Sequence, residues 1–233
     1  MLLRKKIAVL TGAGVSAESG INTFRDAGGL WEGHDVMEVA SPEGFARNPA
    51  LVLDFYNQRR RQLKEVFSNR AHFALVELEQ FFDVSIITQN VDDLHERAGS
   101  SNVIHLHGEL LKMRSTHDDN SILDCEGDIK LGDLTEQGHQ LRPHIVWFGE
   151  AVPLLEEAAT KVQLADIVII IGTSMQVYPA AGLVNFAKPG IPIYFIDPKP
   201  SVSKYEFDNL TIIPKTAVNG VPVLVSELIA EVK

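Results

Sequence analysis

The chain has 233 residues, of which 45% are hydrophobic and 22% charged, with a net charge of −10 and one cysteine. Those values exclude collagen-like, mucin-like and fully disordered chains, and roughly 70% burial of the unfolded surface at this length makes covalent staples unnecessary. One cysteine rules out an intrachain disulfide and a zinc site built on paired cysteines. It also makes a reducing cytoplasm the expected compartment, while the acidic balance argues against nucleic acid and anionic lipid as partners.

Met1 to Lys6 is basic, but the apolar run behind it, Ile7 to Leu10, is too short for a signal-peptide core or a membrane span. Bounded by Gly12, that run reads as a buried parallel strand. It leads into T-G-A-G-V-S-A-E-S-G, where Gly12, Gly14 and Ala17 satisfy G-x-G-x-x-G/A. Such spacing serves a tight turn, close backbone approach to a pyrophosphate, and helix N–H groups aimed at it. A plain glycine turn, with Ser16 and Ser19 as helix caps, would use the same residues. The acidic residue that should end a second strand and hold a ribose is missing; F-R-D-A-G-G-L-W-E-G is loop-like instead. The nucleotide site is therefore not expected to run ordinary hydride transfer.

Further apolar runs predict strands at Val84–Thr88, Val103–Leu106, Ile145–Phe148, Ile167–Ile171, Ile193–Ile196 and Leu210–Ile213. Helical patterns fall at Pro49–Phe67, Ala71–Phe81, Leu154–Gln163, Ala180–Phe186 and Val221–Val232. The alternation predicts an α/β fold, a Rossmann-like parallel sheet with helices on both faces. Two stretches break it: Asp26–Phe67 lacks the second strand, and the polar Glu109–Leu141 lacks a strong period. Together they read as two insertions building a small module, so that 1–25, 68–108 and 142–233 form the nucleotide-binding domain and 26–67 with 109–141 the module. The basic cluster Arg59, Arg60, Arg61 and Lys64 reads mainly as a solvated helix face.

Five motifs in one order then become specific: G-A-G-V-S-A-E-S-G-I-N-T-F-R from Gly12, Q-N-V-D from Gln89, H-L-H-G-E-L from His105, L-R-P-H-I-V-W-F-G-E from Leu141, and G-T-S-M-Q-V-Y-P-A-A from Gly172. The set resembles the sirtuins, NAD-dependent protein-lysine deacylases, over nearly the whole chain. The resemblance implies NAD as co-substrate, acylated-lysine proteins as partners, release of nicotinamide and formation of O-acyl-ADP-ribose. By position, Gly12, Ala13, Gly14, Ala17, Phe24 and Arg25 match residues along the NAD diphosphate and nicotinamide side. Gln89 and Asn90 match the pair near the nicotinamide ribose, and Asp92 the residue holding the carboxamide. Gly172, Thr173, Ser174, Asp197 and Ala217 match the rest of the cofactor set. His107 matches the general base, with Asn90 beside it in catalysis, and His105 is expected on the opposite face as a structural residue. Val146, Trp147, Phe148 and Gly149 match the segment where substrate backbone adds as a strand.

Three departures from the family stand out. The two cysteine pairs that hold zinc in most members are absent; S-T-H-D (Ser115 to Asp118) stands where the first is expected, and Cys125 is isolated. His117, Asp118, Cys125 and His139 match no common zinc spacing. No metal is therefore expected, and packing of Leu110, Leu111, Ile122, Leu123, Ile129, Leu131 and Leu134 is expected in its place. Asn22 replaces a common proline. Asp197 replaces a common asparagine; it can still accept from ribose hydroxyls, and its charge opposes a further phosphate there, favouring NAD over NADP.

Tyr56 and Arg59 lie three apart on one helix face. This Tyr-x-x-Arg resembles the pair in the sirtuin subgroup that removes negatively charged acyl groups, and Ala27 matches a position where a small side chain leaves acyl room. Desuccinylation or demalonylation is thus expected alongside deacetylation, Arg59 pairing with a distal carboxylate and Tyr56 donating to it. An ADP-ribosyltransferase on the same scaffold and a non-catalytic NAD-sensing module are the alternatives; Tyr56 with Arg59 argues against the first, and His107 with Asn90 and Asp92 against the second. A cytoplasmic monomer that binds neither nucleic acid nor membrane is expected.

Overall fold

The computed structural model describes residues 4–22, 30–31, 33–118, 121–203, 207 and 209–233. Phe24, Arg25 and Ala27 lie outside the described residues.

Six parallel strands form the main sheet: β1 (Lys6–Thr11), β4 (Asp83–Thr88), β5 (Val103–His105), β9 (Ile167–Ile171), β10 (Ile193–Ile196) and β11 (Leu210–Ile213), in the order β11-β10-β9-β1-β4-β5. β1 is central, and every residue after Lys6 in it is buried. A parallel strand covered on both faces has no polar side, which is why its sequence is a continuous apolar run. One face packs Val9, Ile86 and Ile169 against α4 (Arg70–Glu79) and α7 (Ala217–Ala230), through Leu75, Leu78, Leu224 and Leu228. The other packs Leu10 and Ile170 against α6 (Leu155–Leu164) and the 3₁₀ segment Ala180–Phe186, through Ala158, Val162 and Leu183. From β1 the chain builds outward through β4 and β5, then returns to start β9 on the other flank. The sheet therefore has its switch point between the C-terminal ends of β1 and β9, the crevice where open α/β sheets bind ligands.

The remaining elements are not strands of this sheet. β2 (Leu30–Trp31) and β3 (His34–Asp35) pair antiparallel, followed by α1 (Val36–Val39), α2 (Pro42–Arg47) and α3 (Pro49–Leu63). α5 (Leu94–Ala98) follows β4. β6 (Gly108–Ser115) is flanked by β7 (Ile122–Asp124) and β8 (Leu141–Ile145) in an antiparallel sheet.

Several boundaries differ from the sequence reading. Glu109–Leu141 is not aperiodic throughout, because β6 and β7 occupy part of it. The strand expected at Ile145–Phe148 is instead β8, ending at Ile145. Beyond it the backbone leaves the ladder: Val146 N–H donates to His107 O, Trp147 N–H to Glu150 Oε2 and Phe148 N–H to Ala40 O. α3 stops at Leu63, its end tightened by Lys64 N–H to Arg61 O and Glu65 N–H to Gln62 O; Asn69 then begins a new helix, accepting from Ala71 N–H while His72 Nδ1 accepts from Asn69 N–H. α7 starts at Ala217, a turn before Val221, with Pro222 inside it where only one backbone bond is lost. Gly12 opens into two short 3₁₀ turns, Ala13–Val15 and Ala17–Ser19, rather than an α-helix.

The residues expected to replace zinc divide. Leu110 and Ile129 are buried, Leu111 is partly buried, and Ile122, Leu123, Leu131 and Leu134 are exposed. What packs there is a small cluster of Leu53, Cys125, Ile129 and Leu141. The basic cluster divides as well: Arg61 and Lys64 are exposed, as expected of a solvated face, while Arg60 is not. Arg60 is 1% exposed, its Nε donating to Leu110 O at 2.9 Å and its Nη1 to Asn57 Oδ1 at 2.8 Å. Lys64 Nζ donates to Glu126 O, and Arg61 pairs with Asp128 at 2.6 Å. The face of α3 that meets the 110–130 backbone needs donors for its carbonyls, and the basic side chains supply them.

Candidate active site

At the switch point the glycine turn lies directly on the loop after β9. Gly12 N–H donates to Ile171 O at 3.0 Å and Gly14 N–H to Gly172 O at 2.8 Å. A Cβ on Gly14 would stand 2.6 Å from Gly172 Cα, and Gly172 itself has φ +59°. Both positions therefore require glycine, and the bare backbone forms a cradle that a side chain would fill. Thr173 closes it: its hydroxyl accepts from Gln89 Nε2 and from Met175 N–H, each at 3.2 Å. Asp197, 3% exposed at the end of β10, accepts from Lys199 N–H at 2.8 Å. Ala217 is buried at the start of α7, beside Val218, whose N–H donates to Glu18 Oε2.

The segment after β4 brings the next group. Asn90 Nδ2 donates to Ser16 Oγ at 3.2 Å, and Ser16 Oγ–H donates to Asp92 Oδ2 at 3.0 Å. Asp92 Oδ1 accepts from Leu94 N–H at 3.2 Å. Burial raises the Asp92 pKa, opposed by these two hydrogen bonds. Ser16, read from sequence as a possible cap, makes no capping bond and is instead the fully buried joint between Asn90 and Asp92. Its place inside the glycine motif was the only sequence signal for that role.

His107 sits in the turn between β5 and β6, immediately before Gly108, whose φ of +82° and 2.1 Å hypothetical Cβ contact with His144 O admit no other residue. A carbonyl can only accept, so the 3.0 Å contact from His107 Nδ1 to Gln89 O assigns the proton to Nδ1 and leaves Nε2 with a lone pair. Burial lowers the His107 pKa, partly opposed by that hydrogen bond. His105 differs. Its Nδ1 lies 3.1 Å from Asn90 O and its Nε2 2.7 Å from Glu96 Oε1, so both nitrogens donate. Burial alone would lower its pKa, but the Glu96 carboxylate more than offsets this and the net shift is upward. Two histidines two residues apart thus pin successive carbonyls of Gln89 and Asn90, and only His107 keeps a free acceptor nitrogen.

A cavity of about 50 Å³ opens beside Asp92, lined among others by Ile21, Trp31, Tyr56, Arg59, Asp92 and Leu110. Tyr56 and Arg59, together with Asp92, therefore face one space. Tyr56 is fully buried, with its hydroxyl accepting from Trp147 Nε1–H at 3.0 Å, and burial drives its pKa far up. The Arg59 guanidinium carbon lies 5.2 Å from the Phe55 ring centre. Asn22 also lines the cavity. In the Val146–Gly149 segment the N–H groups of Val146, Trp147 and Phe148 are already engaged. The sequence places Trp147 and Glu150 only in the substrate-backbone segment and gives Arg142 no role of its own; that the three side chains meet shows only in the fold.

The zinc set of the resemblance does not fit. Among the described residues no three His, Cys, Asp or Glu side chains are placed to hold a metal. His117 and His139 stack face to face with ring centres 4.0 Å apart, while the buried Cys125 thiol donates to Gly127 O at 3.3 Å. The nucleotide cradle does fit its ligand, offering bare glycine backbone at a strand switch point with buried polar groups around it.

A family model described as the Sir2 family matches residues 12–179. A curated NAD-dependent protein deacylase of Helicobacter pylori is 60% identical over 97% of this chain and 98% of its own length. Another of that name from Bacteroides thetaiotaomicron is 54% identical over 97% and 98%. The crystal structure of a Sir2 homologue–NAD complex superposes with a TM-score of 0.88 at 40% identity, covering 99% of this chain and 91% of that one. A Sir2–p53 peptide–NAD complex superposes with a TM-score of 0.78 at 28% identity, covering 97% and 95%. Among the described residues no helix is long and apolar enough to cross a membrane.

Proposed function

This chain belongs to the Sir2 family, and from that membership we infer that it is an NAD-dependent protein deacylase whose acyl pocket takes negatively charged groups on lysine. Bound NAD supplies the ribose C1′ that the acyl oxygen attacks as nicotinamide leaves. The glycine cradle of Gly12 and Gly14, with Ala13, Ala17, Phe24 and Arg25, holds the diphosphate and nicotinamide side. Gly172, Thr173, Ser174, Asp197 and Ala217 hold the adenosine half. Asp92, kept in place by Ser16, orients the carboxamide, and Gln89 and Asn90 flank the ribose. His107 is neutral, with Nε2 aimed to accept a proton from a ribose hydroxyl. The sheet and glycine cradle form the nucleotide-binding unit over 1–25, 68–108 and 142–233, and 26–67 with 109–141 form the small module. Substrate backbone lies along Val146, Phe148 and Gly149. The single cysteine and the net charge of −10 support a cytoplasmic, monomeric enzyme acting on acylated proteins.

The charged-acyl reading rests on one observation: Tyr56 and Arg59 line the same cavity as Asp92. Mass spectrometry of products from NAD with acetyl- and succinyl-lysine peptides tests it. Nicotinamide and both O-acyl-ADP-riboses are expected, with higher kcat/KM for succinyl. A charge-assisted hydrogen bond contributes about 1.5–3 kcal/mol, so Arg59→Met should lower the succinyl-to-acetyl ratio about 10- to 150-fold. Equal losses for both acyl groups would remove Arg59 from acyl recognition. ADP-ribosylated protein in place of free deacylated lysine would move the enzyme to the transferase alternative.

A further inference from the structure

We propose that Trp147 is a specificity-determining positioning residue: its indole N–H takes an acceptor position of the Tyr56 oxygen and turns the Tyr56 proton into the acyl cavity, so that the cavity favours a carboxylate over its carboxamide. The inference rests on the charged-acyl reading and adds to it the device that fixes the polarity of the pocket.

A tyrosine hydroxyl has one proton and can both give and receive, whereas an indole N–H only gives. The Trp147 Nε1–H to Tyr56 Oη bond of 3.0 Å therefore has one possible direction. Among the described residues no acceptor takes the Tyr56 proton, and Tyr56 lines the cavity with Arg59. The guanidinium also only donates. A donor-only guanidinium beside a hydroxyl whose proton is turned inward suits a terminus whose oxygens all accept, which is a carboxylate. A carboxamide would turn one of its own donors against them.

Trp147 is itself held on three sides. The Arg142 guanidinium carbon lies 3.3 Å from the indole ring centre. Arg142 makes a bidentate pair with Glu150 at 2.7 and 3.1 Å and donates to Ile145 O at 2.9 Å. Glu150 Oε2 accepts the Trp147 backbone N–H at 2.7 Å, and Arg114 pairs with the same carboxylate at 3.3 Å. Trp147 is 2% exposed, so this buried ladder fixes the indole in one pose. It also joins the pocket to the segment that binds substrate backbone, because Trp147 stands between Val146 and Phe148.

The test uses three peptides alike except for acetyl, succinyl or succinamoyl on lysine, the last being the terminal amide of the second. Wild-type enzyme should process succinyl at least about 10-fold better than succinamoyl. Trp147→Phe should shrink that discrimination by about 5-fold or more, through KM, because the contact exists in the ground state as in the transition state. In a Tyr56→Phe background the same substitution should change the ratio by less than about 2-fold, as expected for residues acting through one hydrogen bond. Should Trp147→Phe not fold, 3-benzothienylalanine at this position keeps the bicyclic shape without the N–H. The chain has two tryptophans, so the indole N–H resonances give a direct check: Tyr56→Phe should move that of Trp147 upfield. Undiminished discrimination in the Trp147 variants, with wild type still preferring succinyl over acetyl, overturns this inference alone. An effect that persists in the Tyr56→Phe background, or a Trp147 indole signal indifferent to Tyr56, overturns it as well. Wild-type enzyme with no preference for succinyl over acetyl overturns the charged-acyl reading and this inference with it.

Discussion

At the scale of single residues, proton state follows from the partner of each nitrogen. His107 gives Nδ1–H to a carbonyl and faces nothing anionic, so burial lowers its pKa and keeps it neutral. His105, equally enclosed, faces the Glu96 carboxylate and shifts the other way. A general base with a lowered pKa remains in its working form down to lower pH than a free imidazole. The kcat/KM of deacylation should therefore be flat above pH 7 and fall on the acid side with a midpoint below 6.5. A pH–rate profile on an acetyl-lysine peptide checks this, and a midpoint above 7 would remove His107 from the role of base. His107→Ala should abolish turnover while NAD binding stays measurable by calorimetry.

At the scale of elements, α3 performs two tasks with alternating faces. Tyr56 and Arg59 face the cavity, while Asn57, Arg60 and Lys64 grip the backbone of Ile129, Leu110 and Glu126, and Arg61 pairs with the Asp128 carboxylate. Asn57 acts as a strand edge in miniature: its Oδ1 accepts from Ile129 N–H and its Nδ2 donates to Ile129 O, both at 2.9 Å. Arg60 is buried beside it, its pKa lowered by burial and partly restored by Cys125 and Asp128. These bonds, with the Leu53, Cys125, Ile129 and Leu141 cluster, tie down the loop around Ile129. Asn57→Ala would leave both Ile129 backbone groups unpaired in a buried position, at a cost of about 2–4 kcal/mol. Urea unfolding should show that loss, and a change under about 0.5 kcal/mol would mean the clamp is dispensable. A chelator should leave the Tm of the wild-type protein unmoved; a fall would direct attention to His117, Cys125 and His139.

At the scale of the whole molecule, two neutral histidines sit between the helices and the sheet. His72 on α4 and His95 on α5 have ring centres 4.8 Å apart, and His95 Nε2 contacts Thr11 Oγ1 at 3.2 Å. Burial lowers the His72 pKa to about 4, and His95 falls well below 6.5 through burial and the neighbouring His72 and His105. The unfolded chain binds these protons first, so the stability they allow is complete above pH 6.5 and lost as pH falls from there toward the folded values. For His72 alone the loss between pH 7 and pH 5 is about 2 kcal/mol, and His105, shifted upward beside Glu96, offsets part of the total. His72→Gln keeps an acceptor for the Asn69 N–H but cannot take a proton. Its stability in urea should drop less between pH 7 and pH 5 than that of wild type. An identical drop would place the acid sensitivity elsewhere.

The sequence by itself determined the parallel sheet, the nucleotide loop and the family. A parallel strand buried on both faces must be apolar throughout, so Ile7–Leu10 and Ile167–Ile171 announce themselves locally. A turn that another backbone approaches within van der Waals distance needs glycine, so Gly12, Gly14 and Gly172 are visible as residue types. Only the tertiary structure decided which polar atoms meet. Arg60 and Arg61 are adjacent and alike in sequence, yet one is enclosed against Leu110 O and the other lies at the surface with Asp128. Ile122, Leu123, Leu131 and Leu134 are as apolar as Ile129, but only Ile129 finds the α3 face. β8 ends at Ile145 because Glu150 captures the Trp147 backbone, and Trp147 reaches Tyr56 across 91 positions of sequence. Periodicity records which face of an element is buried. It carries no record of which donor meets which acceptor once distant elements pack, and in this protein that pairing sets the proton on His107 and the direction of the Trp147–Tyr56 hydrogen bond.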